Sequence, residues 1–231
     1  MTKTTSKQLL PLYKKPVIAY PLQTLKELGC VDVLIIAADE HQKSQYVKLL
    51  GDGSSFGMNL SYIIQEKPNG LAEAFILGSD FCADADHIYM MLGDNVILGV
   101  DWENKYISPN TIFTYKVKNP EQYGVVLTDD FGNIEKIVEK PKEFVSNDAV
   151  IGLYCFSSEC LEQVKRVKPS ARGELEIVDL IKFMDDIEGV NVDNVDNGFW
   201  FDVGDFDSLL DCANLIRTID KRANYAIGID I

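Results

Sequence analysis

The chain has 231 residues, 46% of them hydrophobic and 25% charged, and carries a formal net charge of −14. That length suits one large domain, or a domain with a lobe, and is enough for a substantial core. The acidity argues against nucleic acid or an anionic membrane as partner, because both need a basic footprint; a small anionic ligand would need local lysines, arginines and a metal. No apolar run approaches the roughly 20 residues of a membrane span. The first residues, Met1 to Gln8, lack the apolar stretch of a secretory signal. Cys30, Cys82, Cys155, Cys160 and Cys212 show neither paired nor metal-binding spacing and read as reduced thiols of a cytoplasmic protein.

In chain order, Val17 to Leu28 has helical periodicity and a stop at Gly29. Residues 31–38 are nearly continuous aliphatics, the pattern of a parallel strand buried on both faces. A helix is predicted over 42–50, a strand over 60–65, a helix over 71–81 and a buried strand over 87–92. Alternating strands and helices imply βαβ units and a parallel sheet. After residue 110 the pattern changes to strands over 111–117, 125–128, 134–139 and 150–156, with turn signals between them, so antiparallel strands should be added. Helices follow over 158–167 and 177–184. The last helix, from Asp205, should place Phe206, Leu209, Leu210, Ala213 and Ile216 on one face.

Two apolar strands each end in a carboxylate: Met90-Met91-Leu92-Gly93-Asp94-Asn95 and Gly198-Phe199-Trp200-Phe201-Asp202-Val203-Gly204. Asp94 and Asp202 are hard oxygen ligands suited to magnesium carrying phosphates. In open α/β sheets a ligand sits beyond the carboxyl ends of the strands, where Gln65 and Asp94 both lie. Gln65 can exchange two hydrogen bonds with a pyrimidine edge, and Gly70 opens the following helix. Glu139-Lys140-Pro141 closes another strand, with Lys140 placed as a point charge for a sugar phosphate. Lys168 to Ile177 is a loop of small residues around Arg172, whose fork suits phosphate. His41 and His87 are the only histidines, and no Ser-His-Asp or Cys-His pattern is present.

Several landmarks resemble the sugar-phosphate nucleotidyltransferases, and among them the glucose-1-phosphate thymidylyltransferases. They are Ser6-Lys7-Gln8-Leu9-Leu10-Pro11, Leu49-Leu50-Gly51-Asp52-Gly53, Gly70-Leu71-Ala72, Leu92-Gly93-Asp94-Asn95, Tyr123-Gly124-Val125-Val126, Glu139-Lys140-Pro141, the stretch Pro169 to Ile177, and Trp200-Phe201-Asp202-Val203-Gly204. They occur in family order along the whole chain. The resemblance implies an α/β, Rossmann-like nucleotidyltransferase fold with a mixed, mainly parallel central sheet, a β-rich insertion and the first strand missing. A single domain over 1–231 is expected, with a nucleotide-binding half (1–110) and a sugar- and metal-binding half (111–231).

By the same resemblance Asp94 and Asp202 are magnesium ligands, and Lys140 and Arg172 clamp the sugar 1-phosphate. Lys7 lies against the nucleotide phosphates, and Gln65 and Gly70 read the base. Gly124, Glu139 and Val150, with Tyr123 beside them, form the sugar wall. Val203 stands where the family often has threonine. The implied reaction is in-line attack of glucose 1-phosphate on dTTP, giving dTDP-glucose and pyrophosphate for polysaccharide or deoxysugar synthesis, with no membrane or nucleic-acid partner. A homo-oligomer, a UTP- or CTP-using enzyme and an inactive nucleotide-sugar-binding homologue stay open. Family members begin with a buried strand and a G-G-x-G-T-R-L-x-P loop, and Met1-Thr2-Lys3 aligns just after it. Losing one preorganised donor costs about 2.7–4 kcal/mol of transition-state stabilisation, so turnover without that loop should be nearly abolished. The C-terminus resembles the short form, without the helices tied to regulation.

Overall fold

The computed structural model describes residues 6–222 and 227–231. After a 3-10 turn at Lys7–Leu9, the strands β1 (Pro11–Leu12) and β2 (Lys15–Pro16) lead into α1 (Ala19–Glu27), β3 (Asp32–Ala37), α2 (Glu40–Leu50) and β4 (Asn59–Ile64). Then come α3 (Glu73–Leu77), β5 (His87–Met91), β6 (Asn95–Leu98), β7 (Thr111–Lys116), β8 (Gly124–Thr128), β9 (Ile134–Glu139) and β10 (Asp148–Ser157). The chain ends with α4 (Cys160–Gln163), α5 (Ile177–Glu188), β11 (Asn191–Asn194), β12 (Phe199–Asp202) and α6 (Phe206–Asp220). Helices alternate with mixed sheets, as an α/β chain requires. The residues form two compact units: Met1–Ile64 with Met91–Lys105 and Asn197–Ile231, and Gln65–Met90 with Tyr106–Asp196.

In the first unit β3 and β4 run parallel, from the pair Asp32 and Asn59 to Ala37 and Ile64, with α2 as their crossover. Asp39 caps α2 by accepting the N–H of Gln42 at 2.7 Å. Val33, Ile35 and Ala37 are buried, but Leu34 and Ile36 are only half-buried. The aliphatic run therefore has one fully covered face, where two were expected. β6 and β12 pair antiparallel, and α1 packs on β6. α6 starts with a capping box between Asp205 and Ser208. Its buried positions are Cys212 and Ile216, while Phe206 and Leu210 are exposed. The stripe facing the core is thus rotated from the expected one: at 3.6 residues per turn, Phe206 and Leu210 point well away from Cys212, Leu210 to nearly the opposite side of the helix.

The second unit is built on a sheet of order β11-β7-β10-β8-β9, with β5 also paired to β10. β7 and β11 are parallel, whereas β7–β10, β10–β8 and β8–β9 are antiparallel. Asp129 closes the β8–β9 hairpin by accepting the N–H groups of Phe131 and Asn133, each at 2.8 Å. α5 buries Ile177, Val178, Leu180, Ile181 and Met184 in a core shared with Phe75, Ile112, Ile137 and Phe156. Each such side chain contributes roughly 1.5–3 kcal/mol when fully buried. The helix predicted over 71–81 is only the five residues of α3. Gly78 caps it, and the chain continues in turns. The helix predicted over 158–167 is α4 followed by a 3-10 turn at Val164–Arg166. β1, β2, β6 and β11 were not legible as separate strands because each has only two to four residues.

Candidate active site

Strand pairing sets the acidic group of the first unit. Asp202 ends β12 and is the register partner of Asn95, the first residue of β6. The N–H of Val203 donates to the carbonyl of Asp94 at 2.9 Å, so the backbones of the two aspartates lie side by side. Asn95 is 2% exposed; its amide donates to Asp94 Oδ1 at 3.3 Å and accepts from Trp200 Nε1 at 2.7 Å. A buried amide satisfied on both sides is a rigid spacer, and here it ties Asp94 to β12. Lys7 arrives on its 3-10 turn, pinned by Leu9 N–H to Ser6 and Ile18 N–H to Gln8. Its ammonium lies 2.8 Å from Asp94 Oδ2.

That ion pair shows that Asp94 accepts a cation in place. Among the described residues no group of three or more His, Cys, Asp or Glu is placed to hold a metal. A pair of carboxylates fits magnesium, which keeps several waters and takes oxygens from phosphates instead of an all-protein cage. Asp94 and Asp202 are the residues that could hold it.

The second unit gathers most of the remaining predicted residues. Gly124 pairs with Glu139 across β8 and β9, and Lys140 N–H donates to the carbonyl of Tyr123 at 2.9 Å. A Cβ on Gly124 would lie 3.0 Å from Glu139 Oε2, so the glycine leaves room for that carboxylate. Lys140 is held at φ +43°, a strained conformation for a side chain of this kind. Arg172 is gripped by Glu176 at 2.8 Å, Glu139 at 3.3 Å and Glu174 at 3.4 Å.

The two glutamates with the nearer guanidinium contacts shift in opposite directions. Burial, followed by the charge of Glu176, pushes the Glu139 carboxyl up against the pull of Arg172 and Lys140. Glu176 also loses solvation, but hydrogen bonds from Arg172 and Ser170 outweigh this and draw it down. Val150 is 8% exposed and belongs to the core, beside the register shift between Val150 and Tyr154 on β10.

The loop after β4 is stitched to the arginine loop. Leu175 N–H donates to Asn69 at 2.6 Å, and Ala72 N–H donates to Leu175 at 3.1 Å. Gly70 sits between these bonds at φ +108°, with backbone atoms of Leu175 where a Cβ would be. Gln65 Nε2 donates to Glu73 Oε2 at 2.6 Å and to the Gly70 carbonyl at 3.3 Å. Glu73 also accepts from Asn69 at 2.7 Å. With its NH₂ so engaged, Gln65 is oriented to offer its oxygen as an acceptor.

Residues 1–218 match the family described as Nucleotidyl transferase. The chain belongs to the nucleotidyl transferase family. It is 41% identical to the glucose-1-phosphate thymidylyltransferase of Neisseria meningitidis serogroup A, over 99% of this chain and 81% of that one. With the Mycolicibacterium smegmatis protein of the same name it shares 40% identity, again over 99% and 81%. A crystal structure assigned as a glucose-1-phosphate thymidylyltransferase, from Bacillus anthracis with sucrose, superposes with a TM-score of 0.85. That pair shares 32% identity, over 97% of this chain and 90% of that one. A UDP-glucose pyrophosphorylase complexed with UDP-glucose, at 22% identity and TM-score 0.76, shares the fold.

Within this nucleotidyl transferase, sequence reasoning missed Glu73, Glu174 and Glu176, and gave Asn95 and Trp200 no role. Glu73 opens a helix and Glu176 precedes one, where acidic residues are ordinary, so neither carried a signal. His41 and His87 are exposed, and none of the five cysteines is in a disulfide among the described residues. No helix among the described residues is long and apolar enough to cross a membrane.

Proposed function

We propose that the chain transfers the thymidylyl group of dTTP to glucose 1-phosphate, giving dTDP-glucose and pyrophosphate. The observation that carries this reading is the Lys7–Asp94 ion pair at 2.8 Å, set beside the strand that ends at Asp202. The names of the relatives support the choice of dTTP and glucose 1-phosphate. Asp94 and Asp202 would hold a magnesium ion, which when bound supplies charge neutralisation to the phosphates. Lys7 adds a positive charge for the triphosphate, and Gln65 accepts a hydrogen bond from the N–H of the pyrimidine edge. Arg172 and Lys140 hold the 1-phosphate, and Glu139 accepts from sugar hydroxyls. The attacking phosphate oxygen is already anionic, so no protein base is needed and catalysis is positioning plus charge stabilisation.

Glutamate oxygens hold Nε and Nη2 of Arg172, so a phosphate that takes those two nitrogens does so by exchange. Arg172→Lys keeps the charge but loses the planar fork. It is expected to raise the KM for glucose 1-phosphate about tenfold with little change in the KM for dTTP, as initial-rate kinetics would show. The reading as a whole is tested by incubating a version that carries the G-G-x-G-T-R-L-x-P loop ahead of Met1 with magnesium, dTTP and glucose 1-phosphate. dTDP-glucose and pyrophosphate should appear in equal amounts, with dTTP preferred over UTP and CTP in competition. Calorimetry with dTDP-glucose measures binding apart from turnover. No nucleotide sugar from any of the three triphosphates would overturn the assignment.

A further inference from the structure

Behind the Lys7–Asp94 pair lies a chain of polar side chains that the reaction itself does not call on. The Ser6 hydroxyl donates to Gln8 Oε1, accepts from Gln42 Nε2 at 2.7 Å, and lies 3.1 Å from the Tyr46 hydroxyl. A serine hydroxyl has one proton and two lone pairs. Its proton goes to Gln8 and one lone pair to Gln42, so Tyr46 must be the donor to the other. Ala38 N–H fixes the orientation of Gln42 by donating to its Oε1 at 2.5 Å. Every group in the relay therefore has a single consistent direction.

The relay ends at the site. Because Gln8 Oε1 is held by Ser6, its NH₂ end is turned away from Ser6. The Gln8 atoms closest to where a Gly93 side chain would begin are Cγ at 3.1 Å, then Cδ and Nε2, each at 3.9 Å. Lys7 lies between Ser6 and Gln8 on the same 3-10 turn and reaches Asp94, the residue after Gly93. Tyr46 is 3% exposed. Burial raises its pKa and the Asp94 charge adds to the rise, so the hydroxyl keeps its proton and remains a donor.

We propose that Gln42 and Tyr46 are positioning residues: from helix α2 they set the Ser6–Gln8 turn, and with it the Lys7 ammonium against Asp94 and the Gln8 side chain against Gly93. Their effect on turnover rests on the nucleotidyl-transfer reading, whereas their effect on the turn does not. The test uses Tyr46→Phe and Gln42→Ala, with Tyr62→Phe as control. Tyr62 donates its hydroxyl to the Gly51 carbonyl at 2.6 Å, so the control also loses a tyrosine hydrogen bond, but one outside the relay.

Two readouts are needed. In ¹H–¹⁵N spectra, both relay variants should move the Gln8 side-chain amide resonances toward those of a free glutamine, and the control should not. In kinetics, kcat/KM for dTTP should fall about tenfold in both relay variants, the loss expected for one hydrogen bond of positioning, at a Tm no lower than that of the control. Gln8 resonances that stay in place in both relay variants overturn the relay. Resonances that move without a change in kcat/KM overturn its positioning role. If the version that carries the loop, without these substitutions, makes no nucleotide sugar, the function assignment fails and the amide resonances alone decide the relay.

Discussion

Asp94→Asn is expected to lower kcat by about 10²–10³-fold, the usual cost of removing one preorganised electrostatic contact from a transition state. The substitution keeps the shape of the side chain and its acceptor oxygen for Asn95, but it removes the charge that holds Lys7 at 2.8 Å. Asp202→Asn should give a loss of similar size. The double variant is the more informative measurement. If both carboxylates serve one ion, removing the second after the first costs little more, because the unit has already failed. Fully additive losses would mean that the two aspartates act independently, and the shared-ion arrangement would be wrong. Magnesium titrations of the single variants should show a raised requirement for the metal, separating this defect from misfolding, which Tm would report.

Gly70→Ala is expected to have the largest effect on stability. The added methyl carbon would sit 2.4 Å from Leu175 O and 2.5 Å from Leu175 N, both main-chain atoms that cannot rotate away. The backbone there, at φ +108°, adds about 1–3 kcal/mol of strain for any residue with a Cβ. A Tm lower by roughly 4–10 °C should follow in a protein of this size. Gly173→Ala provides the comparison. It too has positive φ, +79°, but nothing lies within 4 Å of its added carbon, so it should show the strain alone. The difference between the two variants measures the stitch between the 69–72 loop and the 173–176 loop. A Gly70→Ala protein as stable as Gly173→Ala would show that the loops separate without cost.

Most of the fold was legible because it rests on long periodic segments. The aliphatic run of β3, the helix α2 capped at Asp39 and the stripe of α5 each depend on local patterns. The misses arise where length or context decides. Asn95-Val96-Ile97-Leu98 follows Asp94 directly and reads as the tail of the previous strand, yet it is a separate strand that places Asn95 opposite Asp202. Phe206 and Leu210 carry the same apolar signal as Ile216, but which side of α6 is covered is set by tertiary packing alone.

The candidate site was read from residues that stand out locally, Lys140 directly after β9 and Arg172 in the loop before α5. It was not legible where a common residue acts through space. Glu73 orients Gln65 from eight positions away, and Glu176 reaches back across the loop to Arg172, four residues earlier. Neither separation carries a pattern that sequence alone could distinguish from ordinary surface acidity.

The three glutamates around Arg172 give the resting protein its own substitute for a ligand. A guanidinium left bare would repel Lys140 and leave its loop without an anchor; with carboxylates in place the loop is ordered before anything binds. Those contacts fall on Nε and Nη2, so an anion that takes both nitrogens must displace glutamate oxygens, whereas one that approaches through Nη1 need not.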